Sequence, residues 1–303
     1  MSVNWVNYLI ILAISTGFVG RRKLAFTVGL VSRLDEPQAL ETAVNLARQL
    51  RKKRISVIAE LELAKRGRLG GGKDLSDLKA DLMVTVGGDG TVLKTAMTIP
   101  DKETPILAVN MGRRGYLTEV EPNKALWAVE LFSKGKYRLE KRAKLAIDMN
   151  GTHMVDALNE LVVSSGSPSK MLELRVGVDS EPLLQFRGDG VIVSTATGST
   201  AYALSAGGPI VDSSVDAFVI TFICPLDFVR ATVLSMDRKL SIQMVNPKLK
   251  AQVVADGRFQ RELTRDVKLS IKKSKHYTVF VRLGQGTPMG SLTRLHEMER
   301  TSS

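Results

Sequence analysis

Gly87-Gly88-Asp89-Gly90-Thr91 is the segment of this 303-residue chain whose composition points most directly to chemistry. It follows the apolar run Leu82–Val86 and precedes a helical pattern through Leu93, Ala96 and Met97. Glycines in such a turn let successive backbone N–H groups converge on an anion, and a helix start adds its partial positive charge, so phosphate is the expected ligand. A carboxylate at Asp89 would repel that phosphate unless it faces a hydroxyl or a bound Mg2+. Its presence therefore suggests chemistry, with a plain helix cap as the alternative.

Further segments carry polar groups in comparable places. Asn110-Met111-Gly112-Arg113-Arg114-Gly115-Tyr116-Leu117 follows another apolar run, Ile106–Val109. Loops after parallel strands share the carboxyl edge of the sheet, where open α/β sheets bind ligands. Its arginines fit a phosphate contact and a solvated face equally well. Arg187-Gly188-Asp189-Gly190 leads into the strand-like Val191–Val193 and then a small-residue run from Ser194 to Pro209, rich in hydroxyls around Gly198. That run offers many small donors and acceptors but no strong nucleophile or base, as a binding segment for a polar ligand would, and Tyr202 could border an adenine. Asn159-Glu160, expected just after a strand ending at Leu158, adds an amide and a carboxylate suited to ribose hydroxyls. Gly67 to Lys73 has the spacing of a phosphate-binding P-loop, but Asp74 stands where a Mg2+-binding Ser or Thr is needed, and the segment reads as a flexible basic loop.

The elements that must position these groups change character along the chain. Apolar runs at Leu24–Val31, Ile55–Ala59, Leu82–Val86 and Ile106–Val109 alternate with helical or glycine-rich connections, the pattern of a parallel sheet. A helical stretch, Ala125–Ser133, follows Glu121-Pro122-Asn123, and then period-2 alternation takes over: Leu145 to Met149 into the hairpin signal Asn150-Gly151, then Leu172–Val178, Leu240–Met244, Val267–Ile271 and Val279–Leu283. The expected fold is an N-terminal Rossmann-like parallel α/β domain over 24–123, followed by a mostly antiparallel β-sandwich domain over 124–285. Ser291–Glu299 is expected to be a terminal helix, with 286–303 returning to the first domain. The length, about twice that of a typical domain, agrees with two units.

Composition narrows the function classes. With 44% hydrophobic and 24% charged residues the chain is globular. One cysteine excludes an intramolecular disulfide, and three histidines leave little for a zinc site. The net charge is +12, and residues 21–80 hold 14 basic against 7 acidic residues, so a polyanionic partner is expected. A nucleic acid is disfavoured because the aromatics are scattered rather than clustered for stacking. Residues 1–23 form an apolar extension, uncharged until Arg21-Arg22-Lys23. A membrane contact by residues 1–20 is weighed against a dispensable tail, and the tail is favoured because a soluble α/β pattern starts at Leu24.

Taken in order, Gly87-Gly88-Asp89-Gly90-Thr91, Asn110-x-Gly112 through Leu117, Asn159-Glu160, Asp189-Gly190, Thr197 through Gly208 and Asp256-Gly257 resemble the NAD kinase family over nearly the whole chain from Leu24 onward. The first motif alone is shared with lipid kinases and phosphofructokinases; the Ser/Thr-rich segment separates them. The resemblance implies that Asp89 accepts the 2′-hydroxyl proton of the adenosine ribose of NAD, giving NADP. It implies that Gly87, Gly88, Gly90 and Lys94 contact the dinucleotide or its phosphates. Asn159, Glu160, Lys170, Arg187, Asp189, Thr200, Ala201, Tyr202, Ala203, Leu204, Ser205 and Arg258 look like dinucleotide-binding positions. It also implies Mg2+ with ATP or polyphosphate as donor, a homodimer or homotetramer, and a cytoplasmic enzyme. Ala196 stands where the family usually has proline, Arg114 where leucine is common, and Arg258 where glutamine is frequent. The rival enzyme is a diacylglycerol-type lipid kinase, which shares the glycine turn but gives no reason for residues 195–208.

Overall fold

The computed structural model describes residues 26–112, 115–167, 170–246 and 249–284. The expected terminal helix, the apolar extension, and Arg113 and Arg114 lie outside them. The described residues form two compact units, one of residues up to Lys141 together with those from Thr278, the other of Arg142–Tyr277.

In the first unit β1 (Thr27–Ser32), β2 (Ser56–Ala59), β3 (Leu82–Gly87) and β4 (Ile106–Asn110) pair in parallel in the order β2-β1-β3-β4. Every residue of β3 is buried, which explains why these strands read as continuous apolar runs rather than alternating ones. Helix α1 (Pro37–Lys52) begins with Pro37 in its first turn and ends on Arg51 and Lys52, which suit the negative end of its dipole. Its buried face, Ala39, Ala43, Leu46, Ala47 and Leu50, joins Leu30, Val84 and Val109 in the core. Two more helices follow, α2 (Leu61–Gly67) and α3 (Asp89–Thr98), the latter starting directly from β3. Helix α4 (Ala125–Ser133) sends Ala128, Val129 and Phe132 into the same core, where Phe132 stacks on Tyr137 with ring centroids 4.5 Å apart. The chain runs from β1 outward to β2 and returns to β3, so the strand order reverses between β1 and β3. Ligands of open α/β sheets sit outside the carboxyl ends at such a point.

In the second unit a six-stranded antiparallel sheet has the order β12-β11-β10-β7-β14-β15, with β7 (Glu160–Ser165), β10 (Gly190–Thr195), β11 (Ala217–Ile223), β12 (Thr232–Ser235), β14 (Ala251–Ala255) and β15 (Phe259–Leu263). A second antiparallel set joins β8 (Leu172–Val178), β9 (Glu181–Gly188), β13 (Leu240–Met244) and β16 (Leu269–Arg282), while β5 (Arg138–Met149) and β6 (Thr152–Ala157) form a hairpin; β5 up to Lys141 and β16 from Thr278 belong to the first unit. Asn150 and Gly151 both take positive φ, 49° and 81°, as the twist of a two-residue hairpin requires. The two strands expected at Val267–Ile271 and Val279–Leu283 are one 14-residue strand, β16. Lys272, Lys273 and Lys275 hid the continuity, since a polar stretch inside a strand reads as a break. A last correction is that Glu160 begins β7 rather than trailing a strand that ends at Leu158.

Candidate active site

Each unit carries its own cluster of functional side chains. In the first, Gly88 is the N-cap of α3 and Asp89 its first helical residue; Gly88 makes no side-chain capping bond. The Asp89 carboxylate instead accepts backbone N–H bonds from Tyr116 at 2.9 Å and Leu117 at 3.1 Å, more than 25 residues away. This removes the helix-cap alternative. Burial pushes the carboxyl above the usual aspartate range, against the two N–H bonds and the Arg282 charge, which pull it down. The result is an aspartate more basic than a free one, with one donor on each oxygen among the described residues and lone pairs able to accept another.

Gly115 lets Asp89 sit there. A β-carbon at position 115 would lie 2.3 Å from Asp89 Oδ1, with Cγ at 2.9 Å. Gly115→Ala is therefore expected to displace the carboxylate or the 115–117 segment and to lower kcat at least tenfold, because a shift near 1 Å at a reacting group costs about 10²-fold. Wild-type kcat in a folded alanine variant would show that the carboxylate position is not required.

Lys94, on α3, places Nζ 3.6 Å from Glu60 Oε1, and Glu60 is itself buried at the start of α2, where it accepts the Leu63 N–H. Asn110 Oδ1 at the end of β4 is buried without a partner, although its amide donates to Gly112 O at 3.2 Å. Neither Glu60 nor Asn110 was singled out as a site residue from sequence. Asn110 lay within a quoted motif; nothing local marked Glu60.

In the second unit the organising group is Asp256, at the turn between β14 and β15, with φ 48° followed by Gly257 at 64°. Its buried carboxylate accepts three N–H bonds, from Leu158 at 2.7 Å, Asn159 at 2.8 Å and Glu160 at 3.1 Å. Burial raises its pKa; the three N–H groups and the charge of the fully buried Lys144 oppose that. Glu160 alongside is pushed up to about 7 by burial and by the Asp256 charge, partly offset by a hydrogen bond from the Tyr202 N–H. Asn159 Oδ1 and Glu160 Oε2 are both buried and have no hydrogen-bond partner among the described residues. Buried acceptors are nearly always satisfied, so two side by side can take donors from a water or a ligand. The sequence offered Asp256-Gly257 only as part of the family resemblance, not Asp256 as the clamp on Asn159 and Glu160.

The hydroxyl-rich run serves the loop more than expected. Thr195 Oγ1 donates to Leu158 O at 2.7 Å and accepts from Gly198 N at 3.0 Å, while Ser199 Oγ donates to Ala196 O at 2.7 Å and accepts from Val211 N at 3.0 Å. Those hydroxyls fix the chain that presents α5 (Tyr202–Ser205). Gly198 passes so close to Asn159 that a β-carbon would lie 2.1 Å from its carbonyl oxygen. Gly198→Ala is expected to destabilise the protein by about 1–3 kcal/mol or more, because backbone rather than a flexible side chain must give way; an unchanged urea midpoint would contradict this.

The other sequence candidates do not all gather at this clamp: the Asp189 carbonyl accepts the Ser165 N–H at the end of β7 opposite Glu160, and Arg187 and Lys170 are near that end in the chain. Thr200 Oγ1 donates to Thr197 O at 3.2 Å, Tyr202 is 45% exposed, Ala201 and Leu204 are half-buried and Ser205 is exposed. Ala203 faces Val162 and Ile192 in a small core, so only its backbone is free for a ligand. Lys170, Asp189 and Arg258 are exposed, and Arg187 is exposed and paired with Asp227, whose carboxylate takes the Arg187 N–H at 2.7 Å. Among the described residues no three His, Cys, Asp or Glu side chains are grouped to hold a metal ion.

Comparison with known proteins agrees with both halves. The ATP-NAD kinase N-terminal domain family matches residues 28–137 and the ATP-NAD kinase C-terminal domain family residues 158–283. An NAD kinase of Methanothermobacter thermautotrophicus is 38% identical over 261 residues, covering 85% of this chain and 92% of that protein. An NAD kinase of Methanoculleus marisnigri is 40% identical over 258 residues, 84% of this chain and 94% of its own. Among solved structures, an Archaeoglobus fulgidus NAD kinase in complex with ATP superposes with a TM-score of 0.70 at 27% identity over 88% of this chain and 97% of that one. A yeast NADH kinase complexed with NADH shares the fold, with a TM-score of 0.81 at 22% identity over 90% of this chain and 88% of that one.

Proposed function

This chain belongs to the NAD kinase family, and from that premise we propose that it transfers the terminal phosphoryl group of ATP or polyphosphate to the 2′-hydroxyl of the adenosine ribose of NAD, giving NADP. The observation that carries the reading is the half-buried, more basic Asp89 held on a glycine turn by the Tyr116 and Leu117 N–H groups. Asp89 takes the proton of the attacking hydroxyl. The N–H groups of Gly87, Gly88 and Gly90 and the Lys94 ammonium offset phosphate charge, and positioning with charge neutralisation supplies most of the rate, since phosphoryl transfer needs little covalent help. In the second unit Asn159 and Glu160 accept from dinucleotide hydroxyls, Tyr202 borders the base, and Thr200, Ala201, Ala203, Leu204 and Ser205 line the same stretch. Arg258, two residues after Asp256, acts at its exposed margin; Lys170, Arg187 and Asp189 are toward the other end of β7 and take no part at this stretch.

Mg2+ takes most of its six oxygens from water and substrate phosphates rather than from protein cages. The oxygen donors at the turn, Asp89 and the unpaired Asn110 Oδ1, are too few for a resident site and suit a cation that arrives on the donor. Bound in that way it would neutralise charge on the transferred group.

The lipid-kinase alternative finds no support, because NAD kinase relatives align across both units. The test is purified protein with NAD or NADH, each paired with ATP or polyphosphate and with and without Mg2+, beside diacylglycerol with ATP. NADP formation is expected; phosphorylated diacylglycerol without NADP would overturn the reading. A homodimer or homotetramer and a cytoplasmic location complete the proposal. Sedimentation and cell fractionation test them. Among the described residues no helix is long and apolar enough to cross a membrane.

A further inference from the structure

Arg282, near the end of β16, is 9% exposed and lies between two carboxylates: Nη1 is 3.0 Å from Glu119 Oε2, and Nε bonds Glu140. The same Nη1 donates to the Leu117 carbonyl at 3.4 Å, and Leu117 is one of the two residues whose N–H holds Asp89. Glu119 also accepts the Leu283 N–H at 2.8 Å, which ties the segment after Leu117 to the strand that carries Arg282. One buried guanidinium thus grips the carbonyl side of the residue whose amide side grips the acceptor carboxylate. A planar, permanently charged fork can hold two carboxylates and a carbonyl at once; a lysine cannot.

We propose that Arg282 is a positioning residue for the phosphoryl transfer: gripped by Glu119 and Glu140, it sets the Asp89 carboxylate in place through the Leu117 backbone. Its charge also pulls the Asp89 carboxyl down, against the rise that burial causes. The proposal rests on Asp89 being the proton acceptor. Two other described cations near the glycine turn have carboxylate partners of their own. Lys94 faces Glu60, and Arg33, at the end of β1, pairs with Asp35 and Glu36. Arg113 and Arg114 lie outside the described residues and are constant in every variant below.

The variants move the charge beside Asp89 in opposite directions. Arg282→Met removes the positive charge and the Leu117 contact. It is expected to lower kcat at least tenfold with KM for NAD and for ATP within about twofold, and to move the acid limb of the kcat–pH profile to higher pH. Arg282→Lys should restore the acid limb while recovering only part of kcat. Glu119→Gln leaves Arg282 paired with Glu140 alone and should move the acid limb to lower pH, a sign that general loosening of the fold does not produce. It also supplies the test if Arg282→Met does not fold. An acid limb that stays in place, or moves the same way in the Met and Gln variants, overturns the proposal, as does a folded Arg282→Met enzyme with kcat within twofold of wild type. Asp89→Asn measured alongside separates the two readings. If it retains kcat, the acceptor assignment has failed; if it loses kcat while Arg282→Met keeps it, only the role of Arg282 has.

Discussion

Asp89→Asn is expected to lower kcat by about 10²–10⁴-fold, the usual value of a positioned general base, with KM for NAD little changed. The structure adds a condition to this experiment. Both carboxylate oxygens accept backbone N–H bonds, from Tyr116 and Leu117, so an asparagine amide must turn its NH2 toward one of those donors. Losing a hydrogen bond to a charged group costs about 1.5–3 kcal/mol. Removing a charge that desolvation disfavours acts in the other direction. The two effects oppose, and a folded variant is expected. Because folding raises the Asp89 pKa, wild-type activity should fall on the acid side at a pH above the ordinary aspartate range, as the carboxylate protonates. A variant that retains more than half of kcat when chemistry limits the rate would make Asp89 a structural acceptor of loop amides and nothing more.

Glu160→Gln should separate function from stability in opposite directions. The carboxyl is pushed from 4.5 to about 7 in the folded protein, so the native state binds a proton more tightly than the unfolded chain. That contribution to stability is fully present below about pH 4.5 and is lost as pH rises through about 7. A shift of this size corresponds to about 3 kcal/mol. Wild type is expected to lose that much relative to Glu160→Gln between pH 4.5 and 8, so the glutamine variant should be the more stable protein at pH 8. Its affinity for the dinucleotide should fall about tenfold or more, since the unpaired Oε2 is the proposed acceptor of a ligand hydroxyl and a charged acceptor is worth about 1.5–3 kcal/mol. Urea titrations of both proteins at pH 5 and pH 8, with NAD binding measured at pH 8, decide it. A parallel pH dependence of the two proteins would show that Glu160 is not the buried titrating group, and an unchanged Kd would remove it from the binding site.

Hairpins show where sequence reading works and where it stops. Asn150-Gly151 was legible because positive φ at two successive positions selects those residue types locally. The turn at Asp179-Ser180 takes the same geometry, φ 51° and 77°, without a glycine, and escaped notice. Tertiary contacts stabilise it: Asp179 accepts from Arg238 Nη1 at 2.7 Å and Lys239 N at 2.9 Å, both about sixty residues away.

The same division runs through the site. Sequence alone determined the glycine turn after β3, the helix that starts from it, the change from parallel to antiparallel strands and the family, because turn chemistry and hydrophobic period act over a few residues. Only the tertiary structure decided what each polar group does. It took the Tyr116 and Leu117 amides to make Asp89 a held, half-buried carboxylate rather than a cap. It took Asp256, nearly a hundred residues from Asn159 and Glu160, to clamp the turn that leaves their two oxygens unpaired. Thr195 and Ser199 went instead to carbonyls inside their own loop and its neighbour. Hydrogen-bond partners and desolvation are set by atoms brought together across long stretches of chain, and both the basicity of a carboxylate and the vacancy of an acceptor are consequences of that assembly.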